Sequence, residues 1–178
     1  MHQTVLQFWF HEIAPANWWK VDAAFDRLIV ERFSDLHARA VCSELFEWRE
    51  EPRGRLAEII VLDQFSRNMY RGTKLAFAAD PMALALAQEA VASEADLALA
   101  VEERVFLYMP YMHSESRLIH EIAQRLFKEH APKSNYEFEL RHKAIIDQFG
   151  RYPHRNAILG RESTSDELEF LSKPGSSF

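Results

Sequence analysis

Cysteine is nearly absent: Cys42 is the only one in 178 residues, so no internal disulfide can staple the chain, as fits a reducing compartment. Five glycines and seven prolines are too few for a disordered or loop-rich scaffold. Positive charge is in deficit. The formal net charge of −6 excludes the basic footprint that general nucleic-acid binding needs. Long apolar runs are missing too. The run Val5 to Phe10 is short, holds Gln7 and has no basic leader, so it does not read as an export signal. Leu75 to Ala92 is the stretch richest in alanine and leucine. Asp80-Pro81 and Gln88-Glu89 interrupt it, whereas a membrane helix needs about 20 mostly apolar residues. The sequence also has no glycine-rich phosphate loop and no nucleophile elbow. The expectation is a soluble, cytoplasmic protein with no membrane or nucleic-acid partner, no cofactor and no metal site.

What is present is helix. A hydrophobic content of 48% suffices for one buried core and one domain, and the apolar residues recur at helical steps with no alternating stretch. Thr4 is expected to cap a helix over Val5 to His11. After Pro15, Asn17 caps the next, carrying Trp18, Val21, Phe25, Ile29 and Phe33; a third carries Leu36, Ala40, Val41 and Leu45. The fourth, Arg55 to about Met69, is apolar on most faces and belongs at the centre of the domain. Asp63 therefore lies inside, where a carboxylate needs a partner, and Arg67 stands one turn on. Asp80-Pro81 reads as a side-chain cap followed by proline at the first helical position. Pro110 should interrupt the helix that covers Glu102 to Tyr108, Ser114 or Ser116 opens another, and Asn135 caps one that Gly150 ends. Ser163-Thr164-Ser165 starts the last. The result is an all-α single domain of stacked helical hairpins over residues 1–171, with a tail at 172–178.

Two polar segments share a pattern: Asp63-Gln64-Phe65-Ser66-Arg67-Asn68, and Asp147-Gln148-Phe149-Gly150-Arg151 leading into Tyr152-Pro153-His154-Arg155-Asn156. Their separation does not match the roughly 34-residue period of a tetratricopeptide array. From Arg141 to Arg161 five basic residues face one acid, Asp147. Arginine forks match carboxylate and phosphate oxygens, and His154 titrates near neutral pH, so an anion pocket is one reading. The other is a rigid turn whose arginines pair with internal acids such as Asp63.

The segment Tyr108 to Glu115 places His113 and Glu115 two apart at a helix start, where they could perform acid–base work or bind a metal, or else merely cap and pack. His142, in line with Phe138, Ile145 and Phe149, reads as a core histidine with one hydrogen bond, lining a pocket from below. His120-Glu121-Ile122-Ala123-Gln124 fails as a zinc-protease helix because Gln124 replaces the second histidine. The tryptophans Trp9, Trp18, Trp19 and Trp48 read as core. Candidate catalytic residues are thus His113, Glu115 and His154. Candidate ligand-binding residues are Asp63, Gln64, Arg67, Asn68, Arg151, Arg155 and Asn156.

Several longer motifs carry a resemblance over essentially the whole chain. They are Leu62-Asp63-Gln64-Phe65-Ser66-Arg67-Asn68 with Tyr70-Arg71-Gly72-Thr73, and Phe77-Ala78-Ala79-Asp80. Further on come Phe106-Leu107-Tyr108-Met109-Pro110 with His113-Ser114-Glu115, and Phe149-Gly150-Arg151-Tyr152-Pro153-His154-Arg155-Asn156 with Leu159-Gly160-Arg161-Glu162-Ser163-Thr164. The closing Phe170-Leu171 and Pro174 to Phe178 belong with them. The chain resembles the bacterial family named domain of unknown function 924, departing from its pattern at Ser66, where proline is usual. The resemblance implies an all-helical, tetratricopeptide-like fold and no established activity. Two functions stay open. Either Arg67, His113, Glu115, Arg151, His154 and Arg155 meet in one cleft that binds a small anionic molecule, with or without catalysis, or the helical stack is a scaffold whose groove binds a peptide or partner protein.

Overall fold

A computed structural model of the protein describes residues 2–176, and they are helical with no β-strand among them. Helix α1 (His2–Gln7) continues directly into a π-type turn, Phe8–Glu12, so Thr4 lies inside a helix instead of capping one. Asn17 falls within a short 3-10 turn, Pro15–Trp19. The cap of the next helix is Asp22, whose carboxylate accepts the N–H groups of Ala24 and Phe25, two of the donors a helix start leaves open.

That helix, α2 (Ala23–Val41), joins the second and third expected helices into one, but leaves out Trp18 and Val21 at the start and Leu45 at the end. It runs on through Ser34-Asp35, where the Ser34 hydroxyl donates back to the Val30 carbonyl, the bond that a serine inside a helix commonly makes. The central rod runs through α3 (Pro52–Ile60), a π-type turn (Val61–Phe65) and α4 (Ser66–Met69). Leu56, Ala57, Ile59, Ile60, Val61, Leu62 and Phe65 on it are fully inaccessible. Gly54 lets its first turn approach Trp48: a Cβ there would stand 2.0 Å from the Trp48 carbonyl oxygen.

Helices α5 (Asp80–Ala92) and α6 (Val101–Met112) pack on α3. Pro110 does not end α6. The helix passes through it to Met112 and leaves only the Phe106 carbonyl without its helical donor. Then α7 (Arg117–His130) packs on α6, and α8 (Lys133–Phe149) on α7, as successive neighbours. Pro132, not Asn135, occupies the cap position of α8, and Gly150 ends it with φ 71°, the left-handed conformation that glycine adopts without penalty. Two short helices follow, α9 (Asn156–Leu159) and α10 (Ser165–Leu171), the latter opened by a capping box between Thr164 and Glu167. Residues 172–176 form turns after it, while positions 177 and 178 of the expected tail lie outside the described residues.

Among the described residues one helical stretch, 74–92, is long and apolar enough by length and composition to cross a membrane. Here Ala83, Leu86, Ala87 and Ala90 face the interior, and Asp80 at its start is ion-paired. Its inward face packs on the core, while most of the stretch is not buried.

Candidate functional site

The π-type turn in the central rod sets the site. It carries Asp63 and Gln64, both buried, and the Gln64 amide donates to Asp63 Oδ2 at 2.6 Å. The other carboxylate oxygen, Oδ1, lies 3.0 Å from Arg67 Nη1 and 2.9 Å from His113 Nδ1. Burial by itself would raise the Asp63 pKa. Arg67 and His113 outweigh that and hold it well below the usual carboxylate range, as expected for a buried charge with two cationic or donating partners.

An ionised Asp63 fixes the His113 tautomer: Nδ1 carries the proton and donates. The Nε2 lone pair on the opposite edge of the ring is then uncommitted, with no hydrogen-bond partner among the described residues. Burial and the nearby Arg67 cation lower the His113 pKa, so the ring is neutral at neutral pH.

Arg67 also grips Asp80 through both terminal nitrogens, at 2.9 and 3.0 Å. Asp80 is therefore spent on a cross-link and does not cap α5, whose first turn has no side-chain cap. The sequence reading missed this acid. The 3-10 turn Pro153–Arg155 brings Arg155 to the same place. Its Nη1 stands 3.6 Å from Asp80 Oδ2, outside hydrogen-bond range, and its buried Nε has no acceptor. The guanidinium lies instead between two rings, 4.7 Å from the Phe77 centroid and 4.6 Å from that of Tyr152, a cation–π arrangement. Burial and Arg67 pull its pKa down from the usual arginine value.

Arg67, His113, Arg155, Phe77 and Tyr152 line one cleft of about 810 Å³, together with Gln64, Asn68, His142 and His154, and the acids Asp63 and Asp80 stand behind that lining. Burial lowers the pKa of His154 to about 4 and that of His142 to about 3. His142 Nδ1 donates to the Phe138 carbonyl, so it is a core histidine that also reaches the cleft. The facing wall is apolar: Phe106, Met109 and Met112 from α6, Phe138 from α8, and Trp18 and Trp19 from the N-terminal turn. Trp9 is fully buried, as its reading as core requires, but Trp19 is 56% exposed. No sequence signal separated the three. Asn68 and Arg71 both bind Asp26 of α2, which anchors this edge.

Four of the candidate residues stand behind the cleft instead of in it: Asp63, which is fully buried and spent on Arg67, His113 and Gln64, and Glu115, Arg151 and Asn156. Glu115 accepts both Arg161 terminal nitrogens at 2.6 and 2.9 Å and the Tyr152 N–H at 2.7 Å. Burial raises its pKa, but Arg161 and that N–H outweigh it and leave it lowered. Arg151 is committed to Glu167, at 2.6 and 2.8 Å, and to the Glu162 carbonyl. The Asn156 amide donates to Ser163 and Glu167, and its oxygen accepts from Arg161. This mesh rigidifies the turn that presents His154 and Arg155. Arg161 and Glu167, its two connectors, were not singled out from sequence; Arg161 lay within the resemblance motif.

His120 pairs with Glu139 at 2.7 Å and with the Ser114 carbonyl, not with Glu121. No set of three or more histidine, cysteine or acidic side chains is gathered to hold a metal among the described residues.

The chain belongs to the family described as bacterial protein of unknown function (DUF924), whose model matches residues 5–175. Its fold is similar to that of the protein of unknown function ATU0120 from Agrobacterium tumefaciens. The two share 37% identity over 96% of each chain, with a TM-score of 0.91. No curated protein matches it.

Proposed function

We propose that the cleft binds a small organic anion, with Arg155 as the anchor. One observation carries this reading: a guanidinium buried between Phe77 and Tyr152 makes no side-chain hydrogen bond among the described residues. A buried N–H without an acceptor, as at Arg155 Nε, is costly, and an arginine fork is shaped to take a carboxylate or phosphate. Gln64, Arg67, His113 and His154 gather around it in the same cleft. A peptide-binding scaffold would spread such groups along a groove, and this supports the pocket reading.

His113 is the residue best suited to chemistry on a bound ligand. Asp63 orients it as the aspartate orients histidine in hydrolase triads, and its uncommitted Nε2 can accept a proton from the ligand or from water. In this reading His154 assists as a cleft donor, while Glu115, Arg151 and Asn156 position the turn. The single cysteine accords with a cytoplasmic protein.

A thermal-shift screen of phosphorylated compounds and organic acids tests the anchor. A ligand at a hundred times its Kd should stabilise the fold by about 2.7 kcal/mol, and Arg155→Met should abolish the shift. A screen with no shift, or one equally large in Arg155→Met, refutes the proposal.

A further inference from the structure

We infer that the ligand is an organic acid with one negative charge and a flat apolar body, the acid on Arg155 and the body along the tryptophan wall. The inference rests on the anion reading above and narrows it to a chemical class.

The charge follows from the partners already present. Arg67 is matched by Asp63 and Asp80, and Arg71 by Asp26. On the rim, Lys20 and Glu102 cancel in formal charge. Formally Arg67, Arg71 and Arg155 balance Asp63, Asp80 and Asp26, but Asp80 accepts its hydrogen bonds from Arg67, so Arg155 is the one of the three whose guanidinium has no acid hydrogen-bonded to it. One extra anion has a direct partner; the several charges of a nucleoside triphosphate do not. Polyphosphate sites gather additional cations and rows of backbone N–H groups.

The apolar body follows from the opposite wall. Phe106 meets Trp18 edge-on at 4.9 Å and lies parallel to Trp19 at 6.1 Å between centroids. Met109 and Met112 continue that surface, and thioethers adapt to aromatic faces. Trp19 is 56% exposed and lines the cleft, so an apolar ligand gains contact there that the protein alone does not make. Inorganic phosphate or acetate would satisfy Arg155 and leave this wall unused.

Calorimetric titration of the wild-type protein with 3-phenylpropanoate, acetate, 3-phenylpropanamide, inorganic phosphate and ATP tests the class. We expect 3-phenylpropanoate to bind at least about tenfold more tightly than acetate, since burying a ring is worth more than the 1.4 kcal/mol that a factor of ten represents. The neutral amide and ATP should bind at least about tenfold more weakly than the acid. Trp19→Ala, which removes no buried core, should erase most of the preference over acetate while acetate itself binds as before. Phosphate, ATP or acetate binding as tightly as the phenyl acid overturns the inference and leaves anion binding standing. So does an equal affinity for the amide, or an unchanged preference in Trp19→Ala. No binding by any compound overturns both.

Discussion

Asp63 Oδ1 is shared between His113 Nδ1, at 2.9 Å, and Arg67 Nη1, at 3.0 Å. One carboxylate oxygen thus orients a histidine from the end of α6 and neutralises an arginine on its own rod. Asp63→Ala is expected to strand Arg67 in the interior with Asp80 as its remaining acid. Breaking a buried pair in this way costs about 3–5 kcal/mol. Urea unfolding checks it: a midpoint like that of the wild type contradicts the placement.

The buried histidines set the acid side of the stability curve. His142 and His154 have folded pKa values of about 3 and about 4, below the unfolded value of about 6.5, and that of His113 is lowered too. Between those limits the unfolded chain binds more protons, so stability is complete above pH 7 and falls as the pH drops through 6.5. At pH 5.5 each fully depressed histidine costs about 1.4 kcal/mol, and we expect a loss of about 2 kcal/mol for His142 and the half-buried His154 together. Glu139, whose pKa burial raises, acts in the opposite direction above its unfolded pKa of about 4.3, but it is a single group. Melting at pH 7.5 and 5.5 should show the drop. His142→Phe should make it shallower, and equal melting temperatures at the two pH values would contradict the assignment.

Arg151 and Arg155 are four residues apart and equivalent to the eye in the sequence, yet they should behave oppositely. Arg151 is held by Glu167 and the Glu162 carbonyl, so Arg151→Ala should lower the melting temperature through lost charge-assisted hydrogen bonds. Organic-acid affinity should remain within about twofold, a change of less than 0.5 kcal/mol. A tenfold loss of affinity in folded Arg151→Ala would move the anchor to Arg151.

That pair shows where sequence reasoning ends. The burial of Asp63 was legible because its helix is apolar on nearly every side, and Arg67 as partner followed from one helical turn. Asp80 was read as a cap, since an acid before proline usually is; its use by Arg67 depends on how α4 and α5 meet, a tertiary fact. The turn at Pro153 turns Arg155 toward Phe77 and leaves Arg151 on Glu167, and spacing alone cannot tell the two apart. Likewise Trp18 and Trp19 look like core in any count of aromatics. Only the break before Asp22, which puts the cap of α2 five residues after Asn17, frees them to stand across the cleft from the arginines.

Mutating His113, the proposed general base, separates binding from chemistry. His113→Gln keeps a group able to donate to Asp63 and removes the Nε2 lone pair, so the fold should lose less than about 1.5 kcal/mol, the net worth of an ordinary hydrogen bond. 3-Phenylpropanoate should still bind, with its Kd changed by less than about tenfold. Loss of folding in this variant would show that His113 is needed as structure and would remove it from the proposed chemistry.

The central claim is that an organic anion sits on Arg155, and a crystal structure with 4-bromophenylpropanoate tests it most directly, because the bromine can be located by its anomalous signal. A carboxylate oxygen is expected about 2.7–3.2 Å from a terminal nitrogen of Arg155, with the bromine beside Trp19. Bromine located elsewhere on the protein, or a carboxylate that touches Arg151 and not Arg155, would contradict it.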